Sequence, residues 1–98
     1  MVELNSSQIN EKIQAGEKFL LDFYAPWCGP CRTQMTILEQ SKENLDIPIY
    51  KFNIESDRRF AMTYGVRSIP TLKVFNEGEV QKTHTGVMME SQLKTFIL

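Results

Sequence analysis

A nearly uninterrupted run of apolar residues at positions 19–25 constrains the fold of this chain more than any other feature of its sequence. Polar residues do not alternate with apolar ones along this run, and Asp22 is its only charged residue. A run of this length and composition is typical of a β-strand that is covered on both faces. The sequence therefore predicts a central strand between helices, which is the α/β class.

Further strands and helices are predicted before and after this run. Asn5 is a good N-cap residue for a first helix, and Met35 and Leu38 indicate the apolar face of a second, with Gln34 on its polar face. The predicted strands are 2–4, 19–25, 47–54, 71–75 and 80–85, and the predicted helices are 5–16, 28–45, 57–64 and 88–98. Strands joined through helices are expected to be parallel, and the two joined by a hairpin antiparallel. We therefore expect a single domain, 1–98, with a mixed sheet of about five strands flanked by about four helices.

The charge and hydropathy of the chain argue against two classes of partner. It has 11 Lys and Arg residues against 12 Asp and Glu residues, so it lacks the basic surface that holds nucleic acid. No apolar run approaches the roughly 20 residues of a membrane helix. The N-terminus also lacks the basic and apolar segments of a secretory signal. We therefore expect a cytoplasmic monomer that binds neither nucleic acid nor membranes.

The only two cysteines, Cys28 and Cys31, are separated by two residues. A disulfide between them would close a loop far shorter than the 15 residues for which loop entropy contributes about 3 kcal/mol, so a structural role is a poor explanation. A pair this close in a reducing compartment indicates a redox couple or half of a metal site. Zinc usually needs four ligands, and His84 is the only other soft donor in the chain. Zinc binding and two inert buried cysteines remain as alternatives.

The position of the pair, after the central strand and at the start of a predicted helix, favours redox chemistry. Unpaired backbone N–H groups and the positive end of the helix dipole stabilise a thiolate at Cys28. Because the thiolate is the attacking species, Cys28 is predicted to be the nucleophile. Cys31 lies one turn further along the helix, where it is more shielded and can resolve a mixed disulfide at Cys28. Pro30 suits the first turn because no N–H donor is needed there.

Three segments of the sequence resemble the thioredoxin family. They are residues 22–32, which contain Trp27-Cys28-Gly29-Pro30-Cys31, residues 64–71, which contain Ile69-Pro70-Thr71, and the hairpin at 75–80. The resemblance extends over almost the whole chain in order, and the combined motifs are far more specific than a Cys-X-X-Cys pair alone. It implies the thioredoxin fold and a thiol–disulfide oxidoreductase that reduces protein disulfides by dithiol–disulfide exchange.

The resemblance also implies roles for single residues. Cys28 matches the nucleophile and Cys31 the resolving thiol of a redox-active disulfide. Asp22 matches a buried carboxylate beneath the resolving cysteine that relays protons, and Lys51 matches its basic neighbour. From the residues alone, Asp22 could equally be a carboxylate exposed at an edge, and Lys51 a surface lysine.

Pro70 matches the cis-proline of the family, which lies beside the dithiol. From the residues alone, Ile69-Pro70 is a turn before a strand with a trans bond. The resemblance further implies an apolar surface that binds extended clients around the cysteines, although Val66 and Ile69 could instead belong to the core. The residues that match this surface are Trp27, Gly29, Pro30, Gly65, Val66, Ile69, Gly86 and Val87.

The resemblance implies partners but no metal and no organic cofactor, because the two sulfurs carry the electrons. The expected partners are disulfide-containing client proteins and a thioredoxin reductase, either NADPH-dependent or ferredoxin-dependent. Two other functions stay open: a disulfide isomerase or oxidant of the same fold, and a binding or chaperone subunit in which redox chemistry is incidental. The chain departs from the family pattern at Arg32, Thr36 and Ser68, where a lysine, a helix-kinking proline and a glycine are common.

Overall fold

A five-stranded mixed β-sheet forms the centre of the computed structural model, which describes residues 1–98. The strands are β1 (Val2–Glu3), β2 (Phe19–Tyr24), β3 (Ile49–Asn53), β4 (Thr71–Asn76) and β5 (Glu79–Thr85). They lie side by side in the order β1-β3-β2-β4-β5. β3 is parallel to both β1 and β2, whereas β4 is antiparallel to both β2 and β5.

Four α-helices flank the sheet: α1 (Ser6–Gln14), α2 (Gly29–Ser41), α3 (Arg58–Thr63) and α4 (Glu90–Phe96). Side chains at the helix starts satisfy backbone donors that would otherwise be unpaired. Asn5 accepts a hydrogen bond from the Gln8 N–H at the start of α1, and Asp57 accepts one from the Phe60 N–H at the start of α3. None of the four helices has the length and apolar character that crossing a bilayer requires.

The central strand β2 is buried along its whole length. One face of the sheet packs against α1 and α3, and the other packs against α2 and α4. The first of these two core clusters contains Leu4, Ile9, Phe19, Leu21, Phe23, Phe52, Phe60, Ala61 and Phe75. The second contains Leu20, Leu38, Leu45, Ile49, Leu72, Val74, Met88, Leu93 and Ile97. The predicted α/β fold, with five strands and four helices in the predicted order, is therefore confirmed.

One prediction of strand direction is wrong. β3 and β4 are joined through a helix but are neither adjacent nor parallel. α3 has 6 residues and spans roughly 9 Å, whereas the 5-residue β3 spans roughly 16 Å. The helix alone does not return the chain along the full length of the strand. The chain re-enters the sheet from the end at which β3 leaves it, and β4 runs in the opposite direction.

Two details of α2 also differ from the prediction. The α-helix ends at Ser41 rather than near residue 45, because a 3-10 turn at Lys42–Asn44 follows it and Leu45 is extended. Leu45 nevertheless packs in the core. Gln34 was predicted on the polar face, yet its side chain is fully buried. Its amide hydrogen-bonds the backbone of a residue 54 positions away, a contact that helical periodicity does not report.

Candidate active site

The two cysteines lie where β2 ends and α2 begins. Cys28 is the N-cap of α2, and its Sγ accepts a hydrogen bond from the Cys31 backbone N–H at 3.2 Å. Pro30 occupies the first turn, where its missing N–H breaks no helical hydrogen bond. The cysteines are joined by a disulfide, with their Cα atoms 5.2 Å apart. The pair therefore forms a disulfide at the start of a helix.

Exposure and hydrogen bonding distinguish the two sulfurs. Cys28 is 6% exposed, whereas Cys31 is completely buried. In the reduced protein, the Cys31 N–H and the positive end of α2 would stabilise a thiolate at Cys28. Tyr24 and Ala25 pack around both cysteines and shield Cys31 from solvent. This arrangement leaves Cys28 as the sulfur that an external disulfide can approach.

The segment that contains Pro70 faces the cysteines. The Ile69–Pro70 peptide bond is cis, as the resemblance implied. The Ile69 carbonyl oxygen lies 3.9 Å from Cys28 Sγ, and the Ile69 side chain packs against the cluster around the cysteines. The Gly86 N–H donates a hydrogen bond to the Pro70 carbonyl oxygen at 2.9 Å. The Pro70 segment therefore lies beside Cys28 and is itself bonded to Gly86.

Asp22 lies on the face of β2 that α2 covers. Its neighbours on that face are Leu20 and Tyr24, which pack against α2 and against Cys31 respectively. The Asp22 side chain is fully buried, and neither carboxyl oxygen has a hydrogen-bond partner. Loss of hydration raises the pKa of Asp22 from 3.8 to about 7, while the positive charge of Lys51 offsets part of the rise. A carboxyl group with this pKa can both accept and release a proton near neutral pH.

Lys51 is the residue of β3 that pairs with Asp22 in the parallel register, so both side chains point to the same face. Lys51 is partly buried, and its Nζ lies 5.5 Å from the centre of the Tyr24 ring. The Tyr24 hydroxyl donates a hydrogen bond to the Glu3 carboxylate. Burial and this bond raise the pKa of Tyr24. The structure thus brings Asp22 and Lys51 together on the face of the sheet that α2 covers.

The residues predicted to bind clients, termed the rim, include Trp27, Gly29 and Pro30 next to the cysteines in the chain, and Ile69, which packs against the cysteine cluster. Trp27 is 66% exposed, which is unusual for so large an apolar side chain. Pro30 and Gly65 are also exposed, while the other members are partly exposed: Gly29, Val66, Ile69, Gly86 and Val87. Val66 and Ile69 also pack against the first core cluster, so they contribute to the core and to the surface at once.

Sequence analysis missed Glu55, which contacts this rim. The Trp27 indole Nε1 donates a hydrogen bond to Glu55 Oε2 at 2.9 Å. A groove of about 260 Å³ lies beside this pair, lined by Trp27, Ile54, Glu55, Arg58, Ala61, Met62 and Val66. The indole N–H indicates in the sequence that an acceptor is needed, but only the fold shows that the turn between β3 and α3 supplies it.

The zinc alternative has no support in the arrangement of donor atoms. His84 lies on β5 with its ring against Phe96, and no three His, Cys, Asp or Glu side chains come together at one place. The two cysteines therefore lack the further protein ligands that a tetrahedral zinc site needs.

Comparison with known proteins agrees with this geometry. A family model described as Thioredoxin matches residues 1–98. The thioredoxin of Buchnera aphidicola is 39% identical over 100 residues, which cover 99% of this chain and 93% of the relative. The thioredoxin of Rickettsia prowazekii is 36% identical over 95 residues, or 95% of this chain and 90% of the relative.

Solved structures show the same fold. A mutant thioredoxin from Halobacterium salinarum NRC-1 superimposes with a TM-score of 0.86 and 31% identity, covering 98% of this chain and 88% of that one. Chloroplastic thioredoxin z superimposes with a TM-score of 0.87 over 99% of this chain and 90% of its own. Its identity of 19% supports likeness of fold alone.

Proposed function

This chain belongs to the thioredoxin family and is a thiol–disulfide oxidoreductase, and on that basis we propose that Cys28 is its nucleophile and Cys31 its resolving thiol. The observation that carries the proposal is the asymmetry of the pair. Cys28 Sγ accepts a backbone hydrogen bond at the start of α2 and keeps some exposed area, whereas Cys31 is fully buried. Only Cys28 is therefore both activated and accessible.

In the first step, the Cys28 thiolate attacks one sulfur of a client disulfide. A mixed disulfide forms between Cys28 and the client, and the second client sulfur leaves as a thiolate. The Ile69 carbonyl and the exposed Trp27 ring flank the attacking sulfur and would hold an extended client segment beside it. The exposed backbone of Gly65, next to Val66, would complete this binding surface.

In the second step, Cys31 loses its proton and attacks Cys28 Sγ. The Cys28–Cys31 disulfide forms, the client sulfur leaves as a thiolate, and two electrons have passed to the client. We assign Asp22 as the base that takes the Cys31 proton, because it is buried behind α2 and its pKa is about 7. Lys51 limits the rise in that pKa and so keeps Asp22 able to accept a proton near neutral pH.

Family membership implies that the substrates are disulfide-containing proteins and that a reductase normally restores the dithiol. We propose that this reductase is NADPH-dependent or ferredoxin-dependent. We also propose that residues 1–98 act as one domain and as a cytoplasmic monomer, in a compartment where such a reductase keeps the pair reduced.

Insulin-disulfide reduction tests the proposal. Supplied with either an NADPH-dependent or a ferredoxin-dependent thioredoxin reductase, the wild-type chain is expected to reduce insulin, and the reductase that supports turnover identifies the donor class. A Cys28→Ser/Cys31→Ser double variant is expected to be inactive. If the double variant kept every function of the chain in its cell, redox chemistry would be incidental to a binding role.

The reduction potential separates a reductase from an isomerase or oxidant of the same fold. Reference values for other proteins are about −270 mV for thioredoxin and about −180 mV for protein disulfide isomerase. We expect the reduction potential of this chain, measured by equilibration with glutathione, to lie close to the thioredoxin value. A potential near that of protein disulfide isomerase would identify an isomerase or oxidant instead.

A further inference from the structure

Gln34 makes a buried contact that the proposed mechanism does not use. It lies on α2, three residues after Cys31, and its side chain has no exposed area. Both ends of its amide bind one residue, Met88. The Met88 N–H donates to Gln34 Oε1 at 2.6 Å, and Gln34 Nε2 donates to the Met88 carbonyl oxygen at 3.0 Å. Because a backbone N–H can only donate, the amide oxygen must face it, which fixes the orientation of the side chain.

This pairing satisfies four buried polar groups at once. Met88 lies between β5 and α4, outside any helix or strand, so no sheet or helical ladder pairs its N–H and carbonyl groups. A buried polar group without a partner is costly, whereas a fully satisfied set fixes one arrangement of the groups that it joins. An apolar residue at position 34 would pack on α2 equally well but would leave the Met88 backbone unpaired.

The contact holds a segment that is also bonded to Pro70, next to the Ile69 carbonyl that lies beside Cys28. Gly86 and Val87 directly precede Met88, and the Gly86 N–H is bonded to the Pro70 carbonyl oxygen at 2.9 Å. The segment is therefore fixed at one end to the Pro70 segment and at the other end to the helix that carries the cysteines. Val87, between the two attachment points, is partly exposed.

We propose that Gln34 is a positioning residue that fixes the Gly86–Met88 segment against α2 and thereby preorganises the client-binding surface around Cys28. This inference rests on the proposed function, because it takes Gly86 and Val87 as client contacts. A segment that is already ordered loses less conformational freedom when a client binds, so the contact lowers KM for protein clients. It leaves the chemistry at the sulfurs unchanged.

The Gln34→Met variant tests this inference, because methionine is similar in length and helix propensity but cannot bond the Met88 backbone. The matched control is Gln40→Met, on the exposed side of the same helix. We expect Gln34→Met to raise KM for insulin by about 2- to 10-fold at unchanged kcat. The pKa of the Cys28 thiol and the rate with a small aromatic disulfide should match those of the control. An unchanged KM, or an equal loss with both substrates, would overturn the inference.

Amide hydrogen exchange in the wild-type protein provides a test that does not depend on folding of the variant. The Met88 amide is expected to exchange at least about tenfold more slowly than the Val87 amide, which has no hydrogen-bond partner. Equally fast exchange of the two amides would overturn the contact itself. A wild-type protein that failed to reduce insulin would refute the proposed function instead, whatever the exchange rates were.

Discussion

Asp22 is the residue whose surroundings least favour its own charge. Both carboxyl oxygens are buried without hydrogen-bond partners, and burial raises its pKa from 3.8 to about 7. With the folded pKa raised, the native state binds more protons than the unfolded state between these two values. The ionised group therefore costs no stability below about pH 3.8, and the cost grows until about pH 7 and then stays constant. At pH 8 the cost is on the order of 4 kcal/mol.

Asp22→Ala is accordingly expected to separate stability from activity. At pH 8 we expect a gain of about 2 kcal/mol in the free energy of unfolding, since relief of the buried charge exceeds the cost of the small cavity. The gain should shrink toward pH 4. Turnover of protein disulfides should fall, because Cys31 loses its base. Urea unfolding and insulin reduction over the same pH range measure both effects. A variant that was less stable at pH 8 and fully active would show that Asp22 is not the proton relay.

Lys51 provides an independent prediction at the same scale. Its charge lowers the pKa of Asp22, opposing the effect of burial. Lys51→Met should therefore raise the Asp22 pKa above about 7 and move the pH dependence of the resolving step to higher pH. The carboxyl carbon resonance of Asp22, followed by NMR titration, reports the shift directly. The partly exposed Lys18→Met is the control, with no expected change, and an unmoved or lower Asp22 pKa in Lys51→Met would contradict the pairing.

At the scale of elements, Asp57 at the start of α3 links this helix to α1. Asp57 accepts a hydrogen bond from the Phe60 N–H within α3 and another from the Ser6 hydroxyl of α1 at 2.8 Å. The Ser6 bond, followed by the Phe60 bond, lowers the pKa of Asp57 below 3.8. Its ionised form therefore stabilises the fold above the unfolded pKa, and this contribution is lost as pH falls through the folded pKa.

Asp57→Ala should lower the urea midpoint of unfolding at pH 7, because the hydrogen bond between α1 and α3 is lost and α3 loses its N-cap. The difference in urea midpoint between this variant and the wild type should become smaller as the pH is lowered toward and below 3.8. Asp57→Asn, which retains an acceptor for the Phe60 N–H, should lose less. If Asp57→Ala and Asp57→Asn unfolded at the same midpoint at every pH, capping by this side chain would be unimportant.

At the scale of the whole molecule, the sequence predicted what depends on local pattern and missed what depends on how distant segments meet. The apolar run at 19–25 predicted the central strand, and the Cys28–Cys31 spacing predicted the redox pair. The direction of β4 was missed because it depends on the path of the whole connection at 54–70, which local pattern does not report. Glu55 and Gln34 were missed because their partners lie 28 and 54 residues away.

The division of roles between the two cysteines is the central claim, and trapping of client complexes tests it most directly. Cys31→Ser removes the resolving thiol, so the mixed disulfide formed by Cys28 cannot be released. Cys28→Ser leaves only a buried sulfur that clients cannot reach. Reduced variants mixed with a disulfide-containing protein and separated on non-reducing gels are expected to show mixed disulfides for Cys31→Ser and none for Cys28→Ser. Equal trapping by the two variants, or trapping by Cys28→Ser alone, would contradict the account.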